Sequence, residues 1–401
     1  MAYLELGTTG KNYVGSALLE DLQQLVPALQ ERAGEAEETG RIPDATIEDL
    51  KRINAFKAVV PSAYGGMQAD YPVIPQLFRV MGRGCTSTAW CMGFMIFHNF
   101  QFAFFPKEAH DEVWGGERGY TMAPGQVMPS GKAVRDRDGY RLTGRWGYAT
   151  GIQHGDWMLM SAPVEFDGGA VEMRRFYVPV DVVTLLDTWH VSAMKATGSH
   201  DVTLQDVFVP AYRSVPVQDM REGTAEGLNY LEGAIWKIPL LTYMIFGGVA
   251  PMVGAAETLF EMVSDILTTK TGAYSGEKQA DLATQRVRMA RLRMELEFTV
   301  GMFESKIDEV WETVQAEGGM SRERRTEMRM VVVHVARKCM EIVNELTVVA
   351  GSRGTFLESP IQRFHRDVTS LATHAVHDYD HVANLYGGRF LGAELPPTAM
   401  V

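Results

Sequence analysis

Nucleotide-binding signatures are missing from this chain of 401 residues. It has neither GxGxxG nor GxxxxGK[ST], so no Rossmann fingerprint and no P-loop points to a built-in nicotinamide or nucleoside triphosphate site. HExxH is absent too. His377 and His381 stand at helical i,i+4 spacing, but no recognisable spacing supplies a third ligand, so no metal is expected. The three cysteines, Cys85, Cys91 and Cys339, form no CxxC pair, which excludes a disulfide framework and suits a reducing, cytoplasmic setting. Basic residues are outnumbered, giving a net charge of -12 that argues against nucleic acid or an anionic membrane as main partner. Residues 1–15 lack a basic start and an apolar core, so no signal peptide is expected.

With 46% hydrophobic and 22% charged residues, the composition is that of a folded globular chain. Its length allows two or three domains. Ile238–Ala256 carries no charge and approaches the length of a membrane span. Pro239, Pro251 and Gly247-Gly248 interrupt it and an amphipathic stretch continues it, so a buried core helix is the expectation. Residues 1–118 read as helical, including Ser16–Glu38, Ala45–Ala55 and Tyr71–Arg83. Ala89–Phe105 is apolar all round, with His98 and Asn99 in its middle, as an interior helix is. Between about Tyr120 and Pro210 the period changes to alternation. Tyr140–Trp146, Trp157–Val164, Val171–Val178 and Val202–Val209 read as strands separated by Gly, Asp and Pro clusters. An acidic connector from Val215 to about Glu232 leads back into helices that run to Leu391. The expected fold is α+β, mostly α, divided as 1–118, 119–215 and 216–401.

Pro360–Tyr386 reads as a single helix with a core stripe of Phe364, Val368, Leu371, Ala375, Tyr379, Val382 and Tyr386. Beside that stripe run Asp367, His374, Asp378 and His381. On one helix His374 and Asp378 would be surface neighbours, and a carboxylate can fix an imidazole's tautomer and raise its basicity. A solvated ion pair has the same pattern. His98 in its apolar run reads equally as a satisfied core histidine. Thr150-Gly151 ends a strand, where a hydroxyl faces a ligand or caps a turn. Gly351-Ser352-Arg353-Gly354 offers backbone N–H groups at a helix junction, which suits an anion or nothing at all.

In combination these segments resemble a family. The carriers are VVPSAYGG at 59–66, GCTSTAW at 84–90, FHNFQFAFF at 97–105, DEVWG at 111–115 and DGYRLTGRWGYATG at 138–151. TGSHDVTLQDVFVP at 197–210, SPIQRFHRDV at 359–368 and THAVHDYD at 373–380 complete them. The chain resembles, over essentially its whole length, the acyl-CoA dehydrogenase fold. Within that fold it is similar to the two-component flavin-dependent monooxygenases called group D, which include oxygenases of a phenolic secosteroid and of 4-hydroxyphenylacetate. The resemblance implies an N-terminal helical domain, a central β-domain and a C-terminal four-helix bundle in a homotetramer. It also implies reduced FMN or FAD supplied by a separate NAD(P)H:flavin reductase, O2 as co-substrate, and ortho hydroxylation of a small phenol through a C4a-hydroperoxyflavin. His98 then lines the substrate pocket, Thr150 stands where a serine hydroxyl usually meets flavin N5, and His374 is the base with Asp378 as its partner. Trp146 and Gly151 would form the wall against the isoalloxazine. Gly351, Ser352 and Arg288 would serve the phosphate end, across a subunit boundary in part. Two departures stand out: Thr150 replaces serine, and Ala123-Pro124-Gly125-Gln126 lacks the serine that some relatives carry. Same-fold oxygenation of nitrogen, sulfur or an indole is the alternative. An acyl-CoA dehydrogenase fits less well, because Thr373–His377 stands where its carboxylate base would be sought.

Overall fold

The computed structural model describes residues 11–401 except 127, 129, 167, 273–275 and 397–398, so most of the N-terminal segment read above lies outside the described residues. Helices α1 (Ser16–Thr39), α2 (Asp44–Arg52), α3 (Val73–Gly84), α4 (Thr86–Phe97), α5 (Asn99–Phe102) and α6 (Lys107–Trp114) come first. Seven strands follow: β1 (Lys132–Asp136), β2 (Gly139–Trp146), β3 (Trp157–Glu165), β4 (Val171–Pro179), β5 (Thr184–Leu186), β6 (Asp201–Pro210) and β7 (Ser214–Pro216). The chain closes with α7 (Val217–Glu222), α8 (Leu240–Thr269), α9 (Ala283–Glu317), α10 (Arg322–Ala350), α11 (Pro360–Ala372) and α12 (Tyr379–Phe390). The strands form one sheet in the order β5-β6-β2-β1-β3-β4-β7, antiparallel apart from the β1–β3 pair. The alternation in the sequence located the four long strands. It missed β1, β5 and β7, which are too short or too polar to show a period.

Two cores result. Side chains from the first and last helical segments share one continuous core, which Leu159 and Tyr177 of the sheet join. The opposite face of the sheet builds its own core from Leu142, Trp146, Met158, Met160, Phe176 and Val178. Strand alternation therefore sends odd-numbered β4 residues toward the helices and even-numbered ones into the sheet core. That parity matters for the site.

Helix α8 is the central beam, and its apolarity is used in packing: 83% of its most apolar window is buried. It lies so close to α3 that a Cβ on Gly254 would sit 2.0 Å from the Arg79 carbonyl oxygen. At the same crossing Arg79 donates Nε to Glu257 at 3.0 Å and Nη2 to its other oxygen at 2.5 Å, with both side chains buried. Ser321 caps α10 by accepting from the Arg324 N–H, and Ser359 caps α11 with Pro360 as first residue.

Two expected helices are broken. The run Ala89–Phe105 ends α4 at Phe97 and restarts as α5 at Asn99, so His98 sits at a junction instead of mid-helix. The run Pro360–Tyr386 divides into α11 and α12 around a single 3-10 turn, Ala375–His377. Side chains cause the second break by taking the bonds that a continuing helix needs. The His374 imidazole accepts from the Val376 N–H at 3.2 Å, and the Asp378 carboxylate caps α12 by accepting from the His381 N–H at 3.0 Å.

Candidate active site

One face of α4 collects the residues of interest. Trp90, Phe94 and His98 are four apart and their rings meet in succession, Trp90–Phe94 edge-to-face with centroids 4.6 Å apart and Phe94–His98 tilted at 5.5 Å. His374 meets the Trp90 end edge-on at 5.1 Å. Gly151 presses onto α4 one residue further round: a Cβ there would lie 2.6 Å from Cys91 Sγ and 2.7 Å from the Met95 methyl. The structure thus brings His98, Thr150-Gly151 and His374 around one helix, from three distant parts of the sequence.

His98 is buried, and Nδ1 lies 2.6 Å from the Ala123 carbonyl. A carbonyl accepts only, so Nδ1 carries the proton and Nε2 presents a lone pair. Desolvation pushes the pKa of His98 down to about 3, with the nearby Arg175 cation adding to the shift, so the ring is neutral. The loop that lacks the serine runs past this ring. Gly125 is the necessary residue there, because a Cβ would come within 2.7 Å of His98 Cε1 and 2.9 Å of Arg175 Nη2.

Arg175 is the residue that the sequence reading missed. As an odd-numbered β4 residue it faces the helices, and it is only 3% exposed. Nη1 donates to the Gln126 carbonyl and, at 3.2 Å, to Ser161 Oγ. Nε and Nη2 are buried without a partner among the described residues, and burial lowers the pKa to about 9. Those two nitrogens form the side-on fork of a guanidinium, the edge that matches paired or charged oxygens. An unpaired buried cation costs several kcal/mol, roughly, so such a residue calls for an anionic ligand.

Thr150 Oγ1 is 2.9 Å from Ser199 Oγ, which is 2.7 Å from Thr197 Oγ1. Beside it Tyr148 holds a left-handed backbone (φ 60°) and leaves its ring 71% exposed. A non-glycine residue in that conformation with an exposed aromatic ring is a frequent mark of a ligand-facing position. Trp146, expected at this wall, is instead a sheet-core residue: it is fully buried, donates Nε1 to the Ser161 carbonyl at 2.9 Å and covers Gly131. Even-numbered β2 residues face that core, which the tryptophan's type could not reveal.

The pairing of His374 with Asp378 is not formed. Asp378 is spent as the α12 cap, and His374 Nδ1 accepts from Val376, so the neutral ring carries its proton on Nε2. His374 is exposed although its ring rests on Trp90, and desolvation lowers its pKa. His377 is buried. Its Nδ1 lies 2.8 Å from the Leu371 carbonyl, and desolvation lowers its pKa to about 4. His381 is exposed. Among the described residues no three His, Cys, Asp or Glu side chains are grouped to hold a metal.

The expected phosphate group lies apart. Gly351 ends α10, where carbonyl dipoles disfavour an anion, and its N–H is bonded to the Thr347 and Val348 carbonyls. Ser352 is exposed, and Arg288 on α9 pairs with Glu345 at 3.7 Å. Within one chain they do not close on a phosphate. A separate cleft of about 1090 Å³, lined by Trp236, Met320 and Val401 among others, contains none of these residues.

Asp367 supports the site from α11. It is buried, accepting from the Met194 N–H at 2.6 Å and Ser87 Oγ at 3.2 Å, and burial raises its pKa to about 6. A raised native pKa favours folding below the unfolded value of 3.8, and that contribution is lost as pH rises through 6. The shift of about two units is on the order of 3 kcal/mol. Asp367→Asn keeps the acceptor without the charge. Its melting temperature is expected to exceed the parent's at pH 8 and to converge with it near pH 4. A lower value at pH 8 would refute this account of the carboxylate.

Comparison with known proteins bears on this geometry. Residues 246–379 match the family described as acyl-CoA dehydrogenase, C-terminal domain. The chain is 28% identical over 390 residues to the p-hydroxyphenylacetate 3-hydroxylase oxygenase component of Acinetobacter baumannii, covering 96% of this chain and 91% of that protein. It is 28% identical to the flavin-dependent monooxygenase oxygenase subunit HsaA of Mycobacterium tuberculosis, covering 95% and 96%. The crystal structure of HsaA from M. tuberculosis superposes with a TM-score of 0.89 at 27% identity, over 96% of this chain and 99% of that one. Over nearly its whole length the chain is similar to flavin-dependent oxygenase components built on the acyl-CoA dehydrogenase fold. XiaF from Streptomyces, solved with FADH2 bound, gives a TM-score of 0.89 at 26% identity, over 96% of this oxygenase and 97% of that chain. The residues of the oxygenase fit a flavin ring: Tyr148 and Thr150 offer an exposed aromatic residue and a hydroxyl just past the end of β2, where Gly151 meets α4.

Proposed function

We propose that the oxygenase hydroxylates a small phenol ortho to its hydroxyl, using O2 and reduced FMN or FAD delivered by a separate reductase. Bound reduced flavin supplies the electrons that turn O2 into an electrophilic oxygen donor. The protein's task is to make the aromatic carbon nucleophilic, to orient it and to keep water away. One observation carries the reading: His98, with Nε2 left as a lone pair, and Arg175, with its unpartnered fork, both close on Gly125, where His98 Cε1 and Arg175 Nη2 lie within 2.7 and 2.9 Å of where a Cβ would sit. Nε2 accepts the phenol's hydrogen bond and takes its proton as negative charge grows on the oxygen, while Arg175 holds that charge. A base of low pKa serves here because its cation forms only beside the anion. His374 keeps its Nε2–H as a donor at the Trp90 end, where it orients a carbonyl or oxyanion and does not take a proton. The apolar rings of Trp90 and Phe94 exclude water from between the two ends.

An amine, a sulfide or an indole carbon is nucleophilic without losing an O–H proton, so these alternatives leave the His98–Arg175 arrangement without a purpose. The relatives support the phenol: besides the hydroxyphenylacetate enzyme, the FADH(2)-dependent resorcinol hydroxylase of a Rhizobium is 27% identical, over 90% of this chain and 91% of that protein. The test supplies chemically reduced flavin, then O2, to four substrates: a phenol, its methyl ether, an amine and a sulfide. Product from the phenol alone is expected. Equal turnover of the methyl ether would sink the proposal.

The homotetramer, the cytoplasmic setting and the division at residues 118 and 215 are likewise our reading. Oligomer formation is supported by α9, which exposes Val287 (71%), Met294 (48%), Phe298 (72%) and Met302 (46%) at spacings of seven and four, a stripe that a second copy would cover. Phe298→Glu is expected to reduce the mass measured by light scattering. An unchanged mass would remove the stripe from the interface.

A further inference from the structure

Thr150, Ser199 and Thr197 form a line of hydroxyls that ends on a backbone carbonyl. Thr150 Oγ1 to Ser199 Oγ is 2.9 Å, Ser199 Oγ to Thr197 Oγ1 is 2.7 Å, and Thr197 Oγ1 to the Met194 carbonyl is 2.9 Å. Each hydroxyl has one proton to give. A carbonyl has none, and two oxygens at that distance repel unless a proton lies between them. Thr197 therefore donates to Met194. Ser199 must then donate to Thr197, and Thr150 to Ser199. With its single proton so committed, Thr150 has only lone pairs left for the cleft.

The end of the line is held firmly. Met194 adopts a left-handed backbone at φ 55°, and its N–H is taken by Asp367 at 2.6 Å. Its carbonyl also receives Trp189 Nε1 at 3.1 Å, and the Gly151 N–H donates to the Thr197 carbonyl at 2.8 Å. The acceptor cannot turn away without disturbing α11 and the loop that carries Thr150.

We propose that Ser199 and Thr197 are positioning residues that set the direction of the Thr150 hydroxyl, making this edge of the cleft a receptor for an N–H donor. A reduced isoalloxazine carries a hydrogen on N5 and an oxidised one presents a lone pair there, so the relay selects the reduced ring. The proposal rests on the reading that Thr150 faces the flavin. It goes beyond that reading by assigning the redox preference to two residues that do not touch the ring.

Anaerobic titrations of reduced and oxidised flavin give the ratio of the two dissociation constants, a quantity independent of turnover. Ser199→Ala removes the acceptor for the Thr150 proton, which is then free to point at N5. The preference for reduced flavin is expected to fall about tenfold, reduced flavin binding more weakly and oxidised flavin more tightly. Ser199→Thr keeps the hydroxyl and is expected to restore the preference, which a merely structural role for Ser199 would not require. Thr150→Val should also lower the preference, and Ser199→Ala added to it should change nothing more. If Thr150→Val alters the ratio and Ser199→Ala does not, the relay is refuted while the Thr150 contact stands. If Thr150→Val leaves the ratio unaltered, the contact with the flavin fails and the relay fails with it.

Discussion

Arg175→Met is expected to yield a protein that is at least as stable as the parent and nearly unable to hydroxylate phenols. The two effects have one cause. Arg175 is buried, its Nε and Nη2 lack partners, and desolvation already lowers its pKa to about 9. Replacing an unpaired buried charge by an apolar side chain of similar length relieves a cost of roughly 1–4 kcal/mol. The lost hydrogen bonds to the Gln126 carbonyl and Ser161 offset part of that gain. In turnover the same change removes the positive charge that holds the developing aryloxide. Loss of one such preorganised donor costs about 10²–10³ in rate, and the charge places Arg175 at the upper end. Reduced flavin would still react with O2, so peroxide should accumulate in place of diphenol. His98→Leu, which removes the proton acceptor, is expected to lower product formation by about 10²–10⁴ with the same peroxide release. The checks are thermal unfolding and the ratio of product to flavin oxidised. A destabilised Arg175→Met with unchanged coupling would show that the guanidinium is structural.

The second large effect concerns the crossing of α3 and α8. Glu257→Gln is expected to destabilise the fold by about 3–5 kcal/mol, because it breaks a two-bond ion pair and leaves a buried guanidinium undercompensated. Glu304, 2.5 Å from Arg79 Nη1, softens the loss and places the value near the lower end. Removing both charges, as Arg79→Met with Glu257→Met, should cost less than the single change, since no buried guanidinium is left undercompensated and Glu304, which loses its contact with Arg79, reaches solvent in part. Denaturant unfolding of the three variants measures this. Equal or greater loss in the double variant would mean that packing around Gly254, and not charge, controls the crossing.

The architecture could be read from periodicity wherever a segment was long enough to show one: α1, α8 and the four long strands. The site was read less completely, because it depends on facts that period alone does not contain. The helix through His374 and Asp378 looked continuous because its apolar spacing persists across the break. What ends it is local competition by side chains, and Asp378-Tyr379-Asp380-His381 does carry a capping pattern that could have been recognised. Trp146 and Arg175 were misplaced or overlooked for a common reason. Parity along a strand says which residues share a face, but not which face meets the helices. Once Leu159 and Tyr177 are seen in the helical core, Arg175 follows from parity. His98, Thr150 and Gly151 were singled out from the residues and given roles by the resemblance, and the structure adds the tautomer of His98 and the line of hydroxyls behind Thr150. Asp378 lost its role as orienting partner, and with it the case for His374 as the base weakened.

The central claim is that the buried Arg175 cation lowers the pKa of a phenol bound in the cleft beside His98. A chromophoric phenol such as 4-nitrophenol, whose phenolate absorbs apart from its neutral form, reports this directly when titrated from pH 5 to 9 in excess oxygenase with reduced flavin under anaerobic conditions. The account predicts a bound pKa at least one unit below that of the free phenol, returning toward the free value in Arg175→Met. A bound pKa equal to or above the free one in the parent would contradict it.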